Sequence, residues 1–237
     1  MRAPGRLPAS RPPGAWQVSL SDELRAVGLR AAWAFIERVT VVPSPPALTR
    51  RWEEMAAQLR QNLLLDRIGA DPMLGGIREI FKALGLDPFR IRPSAEMMIR
   101  RVLSGAGVPP VNVVADATNL CALITRLPFA SYDADTLRGA IRIRRGRPGE
   151  TFQAVGLTPV SLEGRIVGAD AGGPFGSATV DSSRSAVTLR TAAVFTLALS
   201  PTAAGRGYLE AGVAEMGELL ETHCGARLRQ TGVVGIP

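Results

Sequence analysis

In the first half of the chain, apolar positions recur mostly at helical steps. Leu48, Trp52, Met55, Leu59 and Leu63 fall on one face of a helix. Ile77, Phe81 and Leu84 mark a second helix, which starts at Asp71 or Pro72 and stops at Gly85. The stretch 22–36 mixes apolar and charged residues at helical spacing, between short β-type runs at 16–20 and 40–42. A proline-punctuated connector over 85–94 ends at Ser94, which reads as the N-cap of a helix over 95–103. Residues 113–126 form a further helix between Pro109-Pro110 and Pro128. The period then changes. Over 140–144 isoleucine and arginine alternate, which puts Ile141 and Ile143 on one face of a strand and Arg142 and Arg144 on the other. Segments 165–169, 186–189 and 192–199 are further strand candidates. The final expected element is an amphipathic helix with Leu209, Val213, Met216 and Leu220 inside and Glu210, Glu215, Glu218 and Glu221 outside. Helices first, a β-rich middle and a closing helix make an α+β fold.

Composition narrows the class. Of 237 residues 46% are hydrophobic and 21% charged, enough apolar content for a buried core and against global disorder. The net charge is +7, and Lys82 is the single lysine, so the basicity is arginine. Arginine forks suit phosphates and carboxylates. Two cysteines, Cys121 and Cys224, make no disulfide framework, and one histidine, His223, makes no zinc cluster. No run is long and apolar enough for a membrane helix. The expectation is a cytoplasmic protein without metal or cofactor. Residues 1–15, rich in proline and arginine, read as a disordered basic tail.

The residues alone expose no catalytic group. There is neither a Walker-type phosphate loop nor a dinucleotide glycine fingerprint, and Gly172-Gly173-Pro174-Phe175-Gly176 reads as a plain loop. His223 sits beside Cys224 near the end of the closing helix and offers no triad, and Cys121 sits in an apolar run as a buried thiol. The segment holding Arg138, Arg142, Arg144, Arg145 and Arg147 contains five arginines and no acid. It reads either as a solvated face or as a track for an RNA phosphate backbone. Aromatic residues are only 5%, which does not support a stacking platform for single strands.

Two stretches add a resemblance. Pro110-Val111-Asn112-Val113-Val114-Ala115-Asp116-Ala117-Thr118-Asn119, then Leu127-Pro128-Phe129-Ala130-Ser131-Tyr132-Asp133 and Gly139-Ala140-Ile141-Arg142-Ile143-Arg144, resemble the B3/B4 domain of the bacterial phenylalanyl-tRNA synthetase β subunit. Arg78-Glu79-Ile80-Phe81-Lys82, Gly85-Leu86-Asp87-Pro88 and Arg92-Pro93-Ser94-Ala95-Glu96 with Arg100-Arg101 resemble the lead-in of freestanding members of that family. The resemblance spans about residues 20 to 230. It implies a B3/B4-like β-rich core over 107–230 flanked by helices, with a helical lead-in over 16–106 packed on it.

In the synthetase the domain binds the tRNA 3′ end and hydrolyses a wrongly attached amino acid without a protein nucleophile, by positioning a water. The resemblance therefore implies tRNA acceptor-end binding and trans-editing, by a protein with no ATP motifs for charging tRNA itself. A non-catalytic RNA-binding module and a small-molecule protein reusing the pocket stand as alternatives. Thr118 takes the place of a pocket threonine, and Thr118 and Asp181 are the expected catalytic pair. The family's pocket histidine falls on Ala130 and its tyrosine-reading glutamate at or beside Leu197, within Phe195-Thr196-Leu197, which implies a smaller or differently polar amino acid than tyrosine. Asn112, Asp116, Asn119, Ser131, Ser182 and Arg184 complete the expected substrate site, in one cleft between the Thr118 helix start, the 128–132 turn and the 181–184 segment. Arg92, Arg100 and Arg101 join the arginine track as expected RNA contacts.

Overall fold

The computed structural model describes residues 16–156 and 159–236; the expected tail over 1–15 lies outside them. In chain order the elements are β1 (Val18–Leu20), α1 (Asp22–Ala26), β2 (Arg30–Glu37), α2 (Pro46–Asn62), α3 (Pro72–Ala83), α4 (Ser94–Leu103), α5 (Val113–Thr125), β3 (Phe129–Asp133), β4 (Ile141–Arg145), β5 (Thr151–Gln153), β6 (Pro159–Ser161), β7 (Ile166–Asp170), β8 (Gly173–Ser177), β9 (Ala193–Ser200), α6 (Arg206–Cys224) and β10 (Arg227–Val234). A 3₁₀ helix over Leu65–Ala70 precedes α3. The fold is α+β.

Two four-stranded sheets face each other, in the orders β1-β4-β7-β8 and β10-β2-β9-β3. Between them lies one apolar layer, with Trp33, Phe35, Phe195 and Leu197 from the second sheet against Ile141, Ile143, Ile166 and Phe175 from the first. The other face of the second sheet, with Ala32, Ala34, Ile36, Val194 and Ala198, packs on α2, α4, α5 and α6. The order is therefore helices, sheet, sheet. A small β5–β6 hairpin adds Phe152 and Leu162 against Val167 on the outside.

The isoleucine–arginine alternation does form a strand. Ile141 and Ile143 are fully buried and Arg142 is exposed. The sheet is mixed, with β1 parallel and β7 antiparallel to β4. α5 and α6 do not flank this strand as expected, because they cover the opposite face of the neighbouring sheet.

Further expectations change. The helical reading of 22–36 gives way to a short α1 and the strand β2, with Gly28 at φ 81° between them. Residues 31–36 are buried on both faces of the sheet, and a continuous apolar run has no period that separates strand from helix. Ser94 is not the N-cap of α4: Pro93 takes that place and Ser94 is the first helical residue. The glycine-rich 172–176 stretch is mostly strand β8, where the missing side chain of Gly176 makes room for an aromatic ring, as that of Gly168 does on β7. A Cβ on Gly168 would stand 2.7 Å from the Phe175 ring, and one on Gly176 would land on the Tyr132 side chain. Segments 40–42 and 186–189 are not strands, and β10 follows the closing helix as an additional edge strand on β2. The 16–106 span thus supplies β1 and β2 to the sheets as well as helices.

Other elements match their signals. Asp71 caps α3 by accepting from Met73 N and Leu74 N at 3.0 and 3.1 Å, and Gly85 at φ 75° ends that helix's exit turn.

The register yields a paired prediction. Ile143→Ala should cost about 2–5 kcal/mol in urea unfolding, while Arg142→Ala one position away should stay within about 0.5 kcal/mol. Equal costs at the two positions would overturn the assigned faces.

Candidate functional site

The inter-sheet layer contains a cavity of about 20 Å³, room for roughly one water. Its walls are Ala130 and Tyr132 of β3, Leu197 and Leu199 of β9, Ile143 of β4 and Gly168 of β7, with Ser94 at the start of α4. Ala130 and Leu197 are register partners on adjacent strands, so these two positions meet in one wall. The wall is apolar there, with no charge to greet a polar substrate tip.

A polar pair stands behind that wall. The buried Tyr132 hydroxyl neighbours the Asp181 carboxylate. Burial, then the neighbouring Asp181, pushes the Tyr132 phenol well above its ordinary range, so it remains an O–H donor. Burial raises the Asp181 carboxyl to about 6, partly offset by the Tyr132 hydrogen bond. Asp181 is fixed by a bridge to Gly176 on β8, whose lack of a Cβ admits the Tyr132 ring end.

Thr118 lies on the other side of the sheet. Its hydroxyl donates to Val114 O at 2.7 Å and pairs with Ser131 Oγ at 2.6 Å, and Ser131 continues to Thr196 Oγ1 at 3.0 Å. Residues alternate along β3, so Ser131 points to α5 while Ala130 and Tyr132 point to the cavity. The one cleft expected from sequence is therefore divided by the β3–β9 sheet: Tyr132, Asp181, Ala130 and Leu197 on one side, Thr118 and Ser131 on the other.

The remaining expected substrate contacts hold backbone. Asn112 caps α5, accepting from Val114 N and Ala115 N at 3.1 and 2.9 Å. Asp116 accepts from Val111 N at 3.1 Å and from the Ser44 hydroxyl. Asn119 is partly exposed on the next turn of α5. Ser182 accepts from Arg184 N at 3.2 Å. Arg184 pairs with the fully buried side chain of Asp170 at 3.0 Å and donates to Thr136 O and Gly173 O, joining three segments.

The arginine track is not uniform. Arg144 forms a two-bond fork with Glu150 at 2.7 and 2.8 Å, and Arg145 binds Glu23 at 2.8 Å and Leu84 O at 3.0 Å. The expected absence of acids held only within the segment; the partners arrive from elsewhere in the chain. Arg138, Arg142 and Arg147 are exposed, and their side chains have no ion-pair partner among the described residues. Arg101 is exposed beside Gly107 O, whereas Arg92 and Arg100 converge on Glu96. Cys121 is buried, and burial lifts its thiol far above the ordinary range, which leaves it inert.

Sequence reasoning missed Ser94 and Tyr132. Ser94 read as a cap, yet it is the first helical residue after Pro93 and lines the cavity. Tyr132 carried no signal except its place in a recognised turn. Among the described residues no helix is long and apolar enough to cross a membrane, and no cluster of metal-ligating side chains occurs.

The B3/4 domain family model matches residues 76–202, which contains every cavity wall residue named above. The phenylalanine–tRNA ligase beta subunit of Bartonella quintana is 40% identical over 53 residues, 22% of this chain and 7% of that protein. The same subunit from Streptomyces avermitilis is 32% identical over 131 residues, 52% of this chain and 16% of that protein. The chain thus spans well under a fifth of the length of these curated relatives. An N-terminal fragment of the phenylalanyl-tRNA synthetase beta-subunit from Pyrococcus horikoshii superposes with a TM-score of 0.49 at 12% identity, over 93% of this chain and 51% of that one.

The Asp181 shift has a stability consequence with a definite sign. A carboxyl raised by burial favours folding while protonated, and that contribution is lost as pH rises through about 6. Asp181→Asn keeps an acceptor for Tyr132 but carries no charge. Its stability relative to the parent in urea unfolding should rise by about 2 kcal/mol between pH 4 and pH 8. A difference that does not change with pH would overturn the burial argument.

Proposed function

The chain belongs to the B3/4 domain family, whose model covers more than half of it, and from that premise we propose that it binds the acceptor end of an aminoacylated tRNA and hydrolyses a wrongly attached amino acid. The observation that carries this reading is the inter-sheet cavity with the Tyr132–Asp181 pair at its wall, inside the matched region. The names of the relatives, ligase subunits that act on tRNA, support the substrate class. Arg138, Arg142 and Arg147 offer phosphate contacts on the outer surface.

In the proposed reaction a water attacks the ester carbonyl, a new C–O bond forms, and the bond to the ribose oxygen breaks. The ribose oxygen leaves with a proton and the free amino acid departs. No side chain needs to form a covalent bond; the gain comes from holding the water and the carbonyl in place. Ser94 and Tyr132 are the polar groups at the cavity suited to that task, with Asp181 positioning Tyr132 from behind. Above pH 6 the Asp181 carboxylate engages the Tyr132 proton and leaves the phenol oxygen as acceptor for the attacking water. Ala130 and Leu197 make the wall apolar, which suits a small aliphatic amino acid and disfavours tyrosine. Thr118 supports the site through Ser131 on β3.

The small volume of the cavity favours a second reading, an RNA-binding protein without turnover. A panel of mischarged tRNAs separates the two. Hydrolysis should be fastest for small aliphatic esters, slow for tyrosyl esters, and should fall below about pH 6. Ser94→Ala and Asp181→Asn should each lower the rate on the order of 10²-fold. Binding with no hydrolysis of any ester would establish the second reading. Replacing Arg138, Arg142 and Arg147 by alanine should flatten the log–log salt dependence of tRNA binding by up to about two units.

A further inference from the structure

A second cleft, of about 510 Å³, opens on the helical side of the molecule and is lined by Leu65, Asp66, Gly69, Arg78, Phe89 and Arg100. Two of these residues, Arg78 and Arg100, belong to a charge cluster that extends behind the lining to Glu96 and Arg92. Glu96, 1% exposed, receives two hydrogen bonds of 2.6 Å from the Arg78 fork and one of 2.8 Å from Arg100 Nε. Arg92 Nε stands 3.5 Å from the same carboxylate without a hydrogen bond. Burial opposes the charge on Glu96, but the bonds from Arg78 and Arg100 outweigh it and hold the carboxyl below its usual range. The cluster is therefore fixed as one anion among three cations, and Asp66 on the far wall leaves one positive charge in excess.

Two local features make this more than a structural ion-pair network. Gly69 lets the Arg78 guanidinium lie against the 3₁₀ helix, where a Cβ would stand 2.8 Å away. Arg78 is thereby held over the Phe89 ring, 5.4 Å from its centroid, while Phe89 remains 66% exposed. An exposed aromatic ring backed by a cation, beside guanidinium donors with capacity left, matches a base and its phosphate. Asp66 would repel an acidic peptide, whereas it can accept from a ribose hydroxyl.

We propose that this cleft is a nucleotide subsite for single-stranded RNA, with a phosphate between Arg92 and Arg100 and a base on the open face of Phe89. It deepens the reading given above, on which it rests: α4 carries both Ser94 at the cavity and Arg100 at this cleft. The overall scarcity of aromatic residues does not bear against it, because a single ring is enough for a single base.

The test is fluorescence anisotropy of the full chain with a 5′-labelled, eight-nucleotide single-stranded RNA. Phe89→Ala, a surface change that leaves the ion cluster in place, should weaken binding about tenfold, the scale of one stacked base. The Arg92→Ala, Arg100→Ala variant should flatten the log–log salt slope by about 1.4, two single-strand phosphate contacts. Wild-type affinity in Phe89→Ala overturns the subsite, even if the arginine variant fails to fold. An unchanged salt slope in a folded arginine variant overturns it as well. RNA binding that depends on Phe89, without hydrolysis of any ester, would defeat the deacylase reading and leave the subsite standing. Hydrolysis with RNA binding indifferent to Phe89 would do the reverse.

Discussion

Burying both faces of the β10-β2-β9-β3 sheet is the constraint on which the rest of the structure depends. β9 has no exposed residue, and β2 is buried from Ala31 to Ile36. One face needs helices and the other needs a second sheet, because bare apolar area of that size is not stable in water. The second sheet then brings β3, β4, β7 and β9 around one small cavity. The site is thus a by-product of how the layers close, and its polar atoms are confined to the few places where backbone spacing lets a hydroxyl or carboxyl in.

Legibility in the sequence followed periodicity. The 140–144 strand was readable because one of its faces is buried and the other is not, which makes the pattern alternate. The helices α2, α3 and α5 were readable for the same reason or from their caps. β2 was not, since residues covered on both sides are all apolar and show no period. β8 was hidden by its glycines, which read as a loop although the Tyr132 ring demands one of them, Gly176. β10 alternates only weakly, because it is an edge strand with a bulge between Leu228 and Gln230.

The site was less legible than the fold, for a reason that lies in distance along the chain. Arg145 is neutralised by Glu23 and Asp181 is perturbed by Tyr132, pairings that no local window contains. Conversely, Thr118 and Ala130 are near in sequence and belong to one recognised pattern, yet a sheet separates their side chains. The two positions that the resemblance aligned with family pocket residues, Ala130 and Leu197, are direct register partners in the cavity wall. Ser94 could have been suspected from Pro93, whose fixed φ suits the residue ahead of a helix and displaces serine into the first turn.

The pairing of β2 also sets the order in which the molecule can be made. During synthesis β2 emerges long before its two neighbours, β9 and β10, and Ala31 must wait for Val234, which is made much later. Until then both its edges are unpaired, although α2, α4 and α5 emerge earlier and can cover one of its apolar faces. Contacts this distant fold slowly and leave aggregation-prone surface exposed in the meantime. Truncation before β9 leaves β2 without the partner that pairs along its whole length.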